Sequence, residues 1–471
     1  MAKVIYEISK MLNKIKNIFA TFINRLSISG FVGKWIFLGI ILGFAAGFGA
    51  ILFYITLELS TKFFLGWIAG YSIPTPYGEG NSLGSSHFVR PWAIPLVVGV
   101  GGLISGFIVY FLAREAEGHG TDAAIEAVHH NPKGIRIRAI VAKILASAVM
   151  IGSGGSGGRE GPSAQISAGI GSLFARIFKL SEKDSKVAVS IGIGSGIGSI
   201  FGAPLGGAVL SGEILYRDDI EGSVIVPALL ASAIGYLLFG FVEGFKPLFG
   251  AQAANYQFTD IIQIFWFAVL GIFCGAVGFL YCKIFYWTVD CFNSLKIPFY
   301  YKPLIGGVVV GLTAMFVPEV LGTGYGWIQQ VFDYHQLKSI PIVILISLPL
   351  LRILATSFSI GSGGSGGIFG PGMVIGAFTG ASFWSIINHV VTIEPHNPAP
   401  FIIVGMLACF GSVAQAPIAV TLMVLEMTGN ITVLVPAVTA IAIASFIVKK
   451  SGVTIYPSQL ENRYKSDISN C

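Results

Sequence analysis

Charged side chains are scarce in this sequence: only 11% of its 471 residues are Asp, Glu, Lys or Arg. A soluble globular domain usually has about a quarter of its residues charged. More than half of the residues, 54%, are hydrophobic, and the mean hydropathy is +0.78. This balance excludes an ordinary soluble domain and indicates that most of the surface faces lipid. The net charge of +6 is not gathered into a separate basic domain, so nucleic acid is not an expected partner.

Metal-ligating residues are also few and dispersed. The cysteines are scattered without metal-ligand spacing: Cys274, Cys282, Cys291, Cys409 and Cys471. The pair His129 and His130 lacks an accompanying cysteine or carboxylate cluster, so a polar helix end is a better interpretation than a metal site. No nucleophile–base pair is visible in the apolar segments. We therefore expect no metal site, no cofactor and no enzyme activity.

Apolar runs of helical length recur along the chain, but several are too short to cross a bilayer upright. A spanning helix needs about 20 apolar residues. The runs cover residues 35–57, 91–112, 224–241, 261–281, 303–316, 340–351, 401–410 and 433–448. The sequence therefore predicts an all-α membrane protein in which some helices are tilted, broken or re-entrant, and the polar residues 75–87 form a loop outside the bilayer.

Basic residues lie at both ends of the sequence and predict its orientation. Residues 1–30 carry five basic residues and one acid, with no cleavable signal peptide: Lys3, Lys10, Lys14, Lys16 and Arg25 against Glu7. Basic residues also follow the last apolar run: Lys449, Lys450, Arg463 and Lys465. Because basic segments remain on the cytoplasmic side, we expect a multi-pass protein of the cell membrane with both termini in the cytoplasm.

Glycine is abundant, and part of it lies in a string that occurs twice. Residues 152–162 read GSGGSGGREGP and residues 361–371 read GSGGSGGIFGP, identical at nine of eleven positions with an offset of 209. Two further landmarks occur once in each half: GHG at 118–120 with GTG at 322–324, and APL at 203–205 with API at 416–418. Transporters often contain such repeats, inverted across the membrane with the binding site between them. Glycine-rich helix packing alone is the alternative, but it does not require the same string twice.

The duplicated string favours an anion site. The first N–H groups of a helix are unpaired and its dipole is positive there, so two helices starting at these strings can bind an anion from opposite sides. Glu160 is the only acid between Ala139 and Leu180 and lies within the first string. A carboxylate at such a site can compete with the anion and carry a proton. The alternative is an ion pair with the adjacent Arg159.

The motifs resemble those of the CLC family of chloride channels and chloride/proton antiporters. The resemblance covers about residues 30–465 and rests on four motifs in order: GHGTD at 118–122 for the family's GSGIP, GREGP at 158–162, GIFGP at 367–371 for GxFxP, and VTIY at 453–456 with the pore tyrosine. It implies an antiparallel bundle of two inverted half-repeats, placed here at 31–242 and 259–465 with a connecting loop at 243–258. It also implies a homodimer with one pore in each subunit.

The resemblance also implies roles for individual residues. Glu160 is similar to the gating glutamate, and its neighbours Gly158, Arg159 and Gly161 complete that motif at the anion site. The backbone N–H groups of Ile368 and Phe369 are expected to bind the central anion, together with the hydroxyl of Tyr456. Lys143, seventeen residues before Glu160, matches a lysine near the pathway.

Two positions depart from the family pattern. His119 replaces the pore serine, and a histidine there can attract anions or titrate with pH. Alternatively, its ring is hydrogen-bonded into the turn and only its backbone faces the ion.

Ile214 replaces the inner proton acid that exchangers of this family carry immediately after the position matching Glu213. Since isoleucine cannot relay a proton, the sequence favours a chloride channel gated by Glu160. An anion/proton antiporter is the alternative, with Glu213 as a substitute acid or as a purely structural residue. A fluoride exporter is a further alternative, suggested by the replaced serine and opposed by the intact GREGP.

Overall fold

The computed structural model describes residues 31–85, 87–250, 261–390 and 397–463, and the regular secondary structure in these ranges is helical, apart from three isolated bridges. The α-helices, in chain order, are α1 Phe31–Thr61, α2 Ala93–Leu112, α3 Thr121–His130, α4 Ile137–Gly152, α5 Glu160–Ile177, α6 Glu182–Phe201, α7 Pro204–Glu213, α8 Ile225–Glu243, α9 Gln263–Ser294, α10 Lys302–Ala314, α11 Tyr325–Val331, α12 Tyr334–Ser339, α13 Ile342–Ile360, α14 Phe369–Val390, α15 Ala399–Val413, α16 Pro417–Thr428 and α17 Leu434–Lys450. The predicted basic arm at 1–30 and residues 251–258 of the predicted connecting loop lie outside the described residues.

Seven of the described helical segments are long and apolar enough to cross a membrane. They include α1, α2, α8, α9, α13, α14 and α17. Others are much shorter, such as the 10-residue α7 and the 7-residue α11. The prediction of an all-helical membrane protein with broken helices is therefore confirmed, while the side on which each terminus lies stays a prediction.

The two halves correspond helix for helix. The order α1 to α8 matches α9, α10, α11, α13, α14, α15, α16 and α17, and only the short α12 has no counterpart among the described helices. In each half, a glycine turn precedes a short helix, a longer helix leads into the glycine string, and the helix after the string is buried. The sequence repeat is thus a structural repeat, although the exact boundaries predicted for the halves stay predictions.

Small residues let the central helices pack at close range. Helix α5 lies against α6, where a Cβ at Gly171 would be 2.5 Å from the carbonyl oxygen of Ala188, and a Cβ at Gly192 would be 2.5 Å from that of Ser167. Helices α14 and α15 pack against each other in the same way in the second half. Close backbone packing of this kind is typical of helices inside membranes. It produces a dense interior in which both glycine strings are buried.

Candidate functional site

The two glycine strings meet at the centre of the molecule. Gly158 N donates to Gly367 O, and Gly367 N donates to Gly158 O, each at 2.7 Å. These two residues are separated by the repeat offset of 209, so the pair lies where the two halves are related to each other. The predicted inverted repeat therefore has its junction within the strings themselves.

Hydroxyl groups reinforce this junction in matching pairs. Ser156 Oγ bonds to Thr356 Oγ1 at 2.8 Å, and Ser365 Oγ bonds to Ser147 Oγ at 2.8 Å. Ser156 and Ser365 thus each contact the hydroxyl that lies five residues before the start of the other string. Because these polar groups satisfy one another, non-helical backbone is tolerated at this depth.

Glycine is required by the backbone where each string leaves its preceding helix. Gly154 has φ +108° and its repeat counterpart Gly363 has φ +100°. A side chain is strained at such angles, whereas glycine adopts them readily. This turn directs each string to the junction, after which α5 begins at Glu160 and α14 begins at Phe369.

Glu160 lies fully buried at the junction and reaches across to the second half. Gly370 N donates to its Oε2 at 3.0 Å, and the hydroxyl of Tyr325 donates to its Oε1. The carboxylate therefore occupies the N-terminal end of α14, where an anion is also expected to bind. Tyr325 was not predicted from the sequence, although it directly follows the glycine turn at 322–324.

Arg159 does not form the alternative ion pair with Glu160. Its guanidinium pairs with Glu79 at 2.5 Å and lies over the ring of Tyr54, 5.4 Å from the centroid. Glu79 belongs to a short turn within the predicted loop at 75–87. A cavity of about 160 Å³ opens beside this ion pair and beside Thr323. This cavity thus ends at Arg159, with Glu79 bound to it.

The backbone N–H groups of Ile368 and Phe369 donate no hydrogen bond within the described part of the chain. The carbonyl of Ile368 accepts a bond from Tyr281 Oη at 2.9 Å, which fixes the direction of the peptide. The ring of Phe369 packs against Phe410 with centroids 4.1 Å apart. These contacts leave two N–H donors available at the start of α14, as an anion site requires.

Tyr456 and His119 lie side by side next to this helix end. Tyr456 is fully buried, and its hydroxyl faces Thr121 without meeting hydrogen-bond geometry to any described residue. The ring of His119 lies 5.6 Å from that of Tyr456, and its buried Nδ1 also has no partner there. A His119 ring bonded into the turn is therefore not observed. Both side chains keep polar atoms for a ligand.

We expect Tyr456→Phe to weaken bromide or chloride binding by several fold in isothermal calorimetry, because it removes an uncommitted buried hydroxyl. Tyr286→Phe is the matched control, since the hydroxyl of Tyr286 is already bonded to Ile455 O at 2.8 Å. Tyr286→Phe should leave anion affinity unchanged. Equal affinities for Tyr456→Phe and the unsubstituted protein would show that the Tyr456 hydroxyl does not contact the ion.

A buried cation supports the glycine turn in each half. Lys143 Nζ donates to Gly118 O at 2.7 Å and to Ala116 O at 3.2 Å. Arg352 follows Lys143 by the repeat offset of 209 and donates to Gly322 O at 2.5 Å and to Leu321 O at 3.3 Å. Both side chains are fully buried. Each therefore contributes positive charge near the junction and stabilises the glycine turn of its own half. Arg352 was not predicted from the sequence.

Comparison with known proteins agrees with this geometry. Residues 101–449 match the family model described as voltage gated chloride channel. The chain belongs to the CLC family. An uncharacterized protein of Methanocaldococcus jannaschii is 34% identical over 337 residues, which cover 71% of this chain and 80% of the relative. A protein of Vibrio vulnificus named H(+)/Cl(−) exchange transporter ClcA is 27% identical over 390 residues, which cover 81% of this chain and 82% of the relative.

The CLC fold is confirmed by a solved structure as well. The crystal structure of a slow cyanobacterial Cl⁻/H⁺ antiporter aligns with a TM-score of 0.75 and 21% identity, covering 93% of this chain and 98% of the other. This CLC chain is therefore a multi-pass membrane protein of an anion-transporting family.

Glu213 in this CLC chain caps a helix of the opposite half. Its carboxylate accepts bonds from Ile418 N at 3.1 Å and Ala419 N at 2.6 Å, at the start of α16. Glu426 does the same for α7, accepting from Leu205 N at 3.0 Å and Gly206 N at 2.8 Å. This reciprocal arrangement supports the structural interpretation of Glu213. The neighbouring Ile214 is fully buried.

We expect Glu213→Gln and Glu426→Gln to lower the free energy of unfolding by about 1 kcal/mol each, because each loses one of two capping acceptors. Thermal unfolding in detergent measures this effect. Since both residues act as helix caps, neither substitution should change anion flux. A fall of anion flux in Glu213→Gln but not in Glu426→Gln would instead give Glu213 a role in transport.

The described residues contain no group of His, Cys, Asp and Glu side chains that could hold a metal ion. His129 and His130, at the end of α3, do not form one. The Nε2 atom of His129 contacts Leu215 O at 3.0 Å, whereas His130 borders a different cavity, beside Glu126. Cys274, Cys282 and Cys409 are buried and Cys291 is exposed, while Cys471 lies outside the described residues.

Proposed function

We propose that this protein exchanges chloride or a similar small anion for protons across the cell membrane, with Glu160 as the gate and proton carrier. The observation that carries the proposal is the buried Glu160 carboxylate, which takes the N–H of Gly370 at the helix end where an anion is expected. An anion and this carboxylate cannot both accept a hydrogen bond from the N–H of Gly370 at the same time. The names of relatives such as the exchange transporter ClcA support proton exchange over passive flow.

The competition couples the two ions. When Glu160 is ionised, it remains bound to Gly370 and Tyr325 and excludes the anion from that position. When Glu160 is protonated, it has less attraction for the helix end, and an anion can take the N–H of Gly370, next to the site formed by the N–H groups of Ile368 and Phe369 and the Tyr456 hydroxyl. Each cycle therefore alternates an anion and the ionised carboxylate at one position, and the proton that releases the carboxylate links the movements of the two ions.

Flux across liposomes tests this proposal. The whole chain is reconstituted in vesicles with a chloride gradient and no initial pH gradient, and proton movement is followed with a pH-sensitive dye after the voltage is clamped with valinomycin and potassium. We expect the chloride gradient to drive protons against their own gradient. Chloride flux without driven proton movement would reject exchange and support a channel.

A passive chloride channel is the second candidate, favoured by two observations. Ile214 cannot accept a proton, and Glu213 is occupied as a helix cap. The same flux measurement separates this candidate from exchange. A fluoride exporter is opposed by the intact GREGP at 158–162, and a comparison of fluoride with chloride uptake decides it.

We also propose that two copies of the chain form a homodimer with a separate pathway in each subunit. The repeat-related helices α7, α8, α16 and α17 expose large apolar side chains: Leu205 at 50%, Val226 at 71%, Ile418 at 51% and Val438 at 53%. A second copy of the chain would cover these side chains, as the family resemblance implies. Light scattering in detergent should give twice the mass of one chain; a single-chain mass would reject the dimer.

A further inference from the structure

Arg159 is a buried cation that aromatic side chains hold in place. Only 3% of its side chain is exposed. Its guanidinium carbon lies 5.3 Å from the ring centre of Tyr325, 5.4 Å from that of Tyr54 and 5.9 Å from that of Phe201. Rings at this distance attract a cation and restrict its movement. The position of this positive charge is therefore fixed by packing.

The carboxylate that pairs with Arg159 has more freedom. Glu79 Oε1 lies 2.5 Å from Arg159 Nη2, but 16% of the Glu79 side chain is exposed. The backbone around Glu79 is anchored, since Gly78 N donates to Leu248 O at 3.0 Å and Glu79 N donates to Pro76 O at 3.0 Å. Rotation of the side chain alone can therefore move the carboxylate away from Arg159 while the loop stays in place.

The cavity beside this ion pair offers further donors to an anion. It has a volume of about 160 Å³, and its lining includes Arg159, Glu79 and Thr323. The Nε atom of Arg159 is buried and has no hydrogen-bond partner in the described part of the chain. Thr323 is half-buried in the glycine turn at 322–324, and its hydroxyl can donate a hydrogen bond. The cavity thus combines a fixed guanidinium, which has an unused donor, with a hydroxyl group.

The other acids near this cavity are bound to partners of their own. Glu58 pairs with Lys62 at 2.5 Å, and Glu243 accepts a bond from the hydroxyl of Tyr54 at 2.8 Å. Among the described acids, Glu79 alone forms an ion pair with Arg159. A buried cation that loses its partner is strongly destabilising. A small anion can replace the Glu79 carboxylate without this cost, because it leaves the charge of the guanidinium paired.

Tyr325 connects this position with the gate. Its ring faces the guanidinium of Arg159, and its hydroxyl donates to the carboxylate of Glu160. Arg159 also directly precedes Glu160 in the chain. An anion bound to Arg159 is therefore held beside the gate, on the side of the loop that carries Glu79.

We propose that Arg159 and Thr323 form a further binding site for chloride or a similar small anion, and that the Glu79 carboxylate occupies this site when no anion is bound. These two side chains are the Arg159 site. An arriving anion takes the guanidinium while Glu79 turns towards water, so that the buried charge stays paired in both states. This inference rests on the proposed transport of anions, and it applies to exchange and to passive flow alike.

Bromide crystallography of Glu79→Gln tests the Arg159 site itself. The amide oxygen can still accept a bond from Arg159, so the loop keeps its contact, but a neutral amide competes with an anion more weakly than a carboxylate does. We expect an anomalous peak beside the Arg159 guanidinium and the Thr323 hydroxyl in this variant. Glu58→Gln is the matched control, because it removes the same charge from the same cavity and leaves the Arg159–Glu79 pair intact. Neither this control nor the unsubstituted protein should show the peak.

Chloride flux into vesicles tests the role of the Arg159 site in transport. In Glu79→Gln, the flux should reach half its maximum at a chloride concentration at least about twofold lower, because the released guanidinium attracts anions to the cavity. Thr323→Val leaves the ion pair intact and should raise that concentration, because it removes a donor from the site. Thr313→Val is the control for this variant and should change nothing, since the Thr313 hydroxyl is already bonded to Val309 O at 3.0 Å.

Three results would overturn the inference. Absence of a bromide peak at Arg159 in Glu79→Gln would reject the site, and a peak there in Glu58→Gln as well would show that Glu79 does not compete for it. Unchanged half-maximal chloride concentrations in Glu79→Gln and Thr323→Val would exclude the site from transport. Failure of the proposed exchange gives a different result, namely chloride flux without driven protons, and leaves the bromide peak at Arg159 in place.

Discussion

Glu160→Gln should abolish proton transport and leave a chloride flux that no longer depends on pH. The amide has nearly the size of the carboxyl but carries no charge and does not titrate, so it resembles the protonated gate. In the structure, the carboxylate is bound to Gly370 N and to Tyr325 Oη. A neutral amide binds more weakly there, and the anion should occupy the helix end in its place. Chloride efflux measured between pH 4.5 and 7.5, with proton movement followed in parallel, checks this expectation.

Glu426→Gln is the control for this substitution, because it makes the same chemical change at a carboxylate that caps α7. It should retain the pH dependence and the proton transport of the unsubstituted protein. If Glu160→Gln left both the rate and its pH dependence unchanged, Glu160 would not be the gate, even though it is buried at the junction of the strings.

Lys143→Met and Arg352→Met should each destabilise the protein by about 2 kcal/mol, because the first removes two hydrogen bonds to buried carbonyl oxygens and the second removes three. Arg352 should be the more costly to replace, since its guanidinium also contacts Glu319 O at 3.2 Å. Thermal unfolding in detergent measures the loss. Both variants should also bind bromide more weakly, because a positive charge near the junction is removed.

Lys62→Met provides the comparison on the surface. Its ammonium pairs with Glu58, but 69% of the side chain is exposed, so the loss should not exceed about 1 kcal/mol. Wild-type stability in Lys143→Met would mean that the glycine turn at 118–120 is held without the lysine. In that case Lys143 would act on the ion only through its charge.

The sequence predicted the repeat better than it predicted the helices. The duplicated string located the junction of the two halves correctly, because glycine positions at a site built from backbone tolerate little change. Hydropathy identified the lipid-facing helices α1, α2 and α9 but not α5 and α6. Those two helices contact protein on nearly all sides and are rich in Gly and Ser, so they show no long apolar run.

The predicted site residues that the structure brings together are those carried by motifs, namely Glu160, Ile368, Phe369, Tyr456 and His119. The partners Tyr325 and Glu79 were missed, because their contacts with Glu160 and Arg159 join residues far apart in the chain. Arg352 could have been found, since the repeat offset of 209 leads to it directly from Lys143. A repeat therefore identifies pairs of equivalent residues, whereas contacts without a repeat require the fold.

The anion site between the two strings is tested most directly by the anomalous scattering of bromide in crystals of the Glu160→Gln variant. We expect one peak beside the backbone N–H groups of Ile368 and Phe369 and the hydroxyl of Tyr456, and a second where the Glu160 carboxylate is bound to Gly370 N. In the unsubstituted protein, only the first peak should appear. Bromide bound elsewhere, with no peak at the start of α14 in either crystal, would contradict an anion site at the junction.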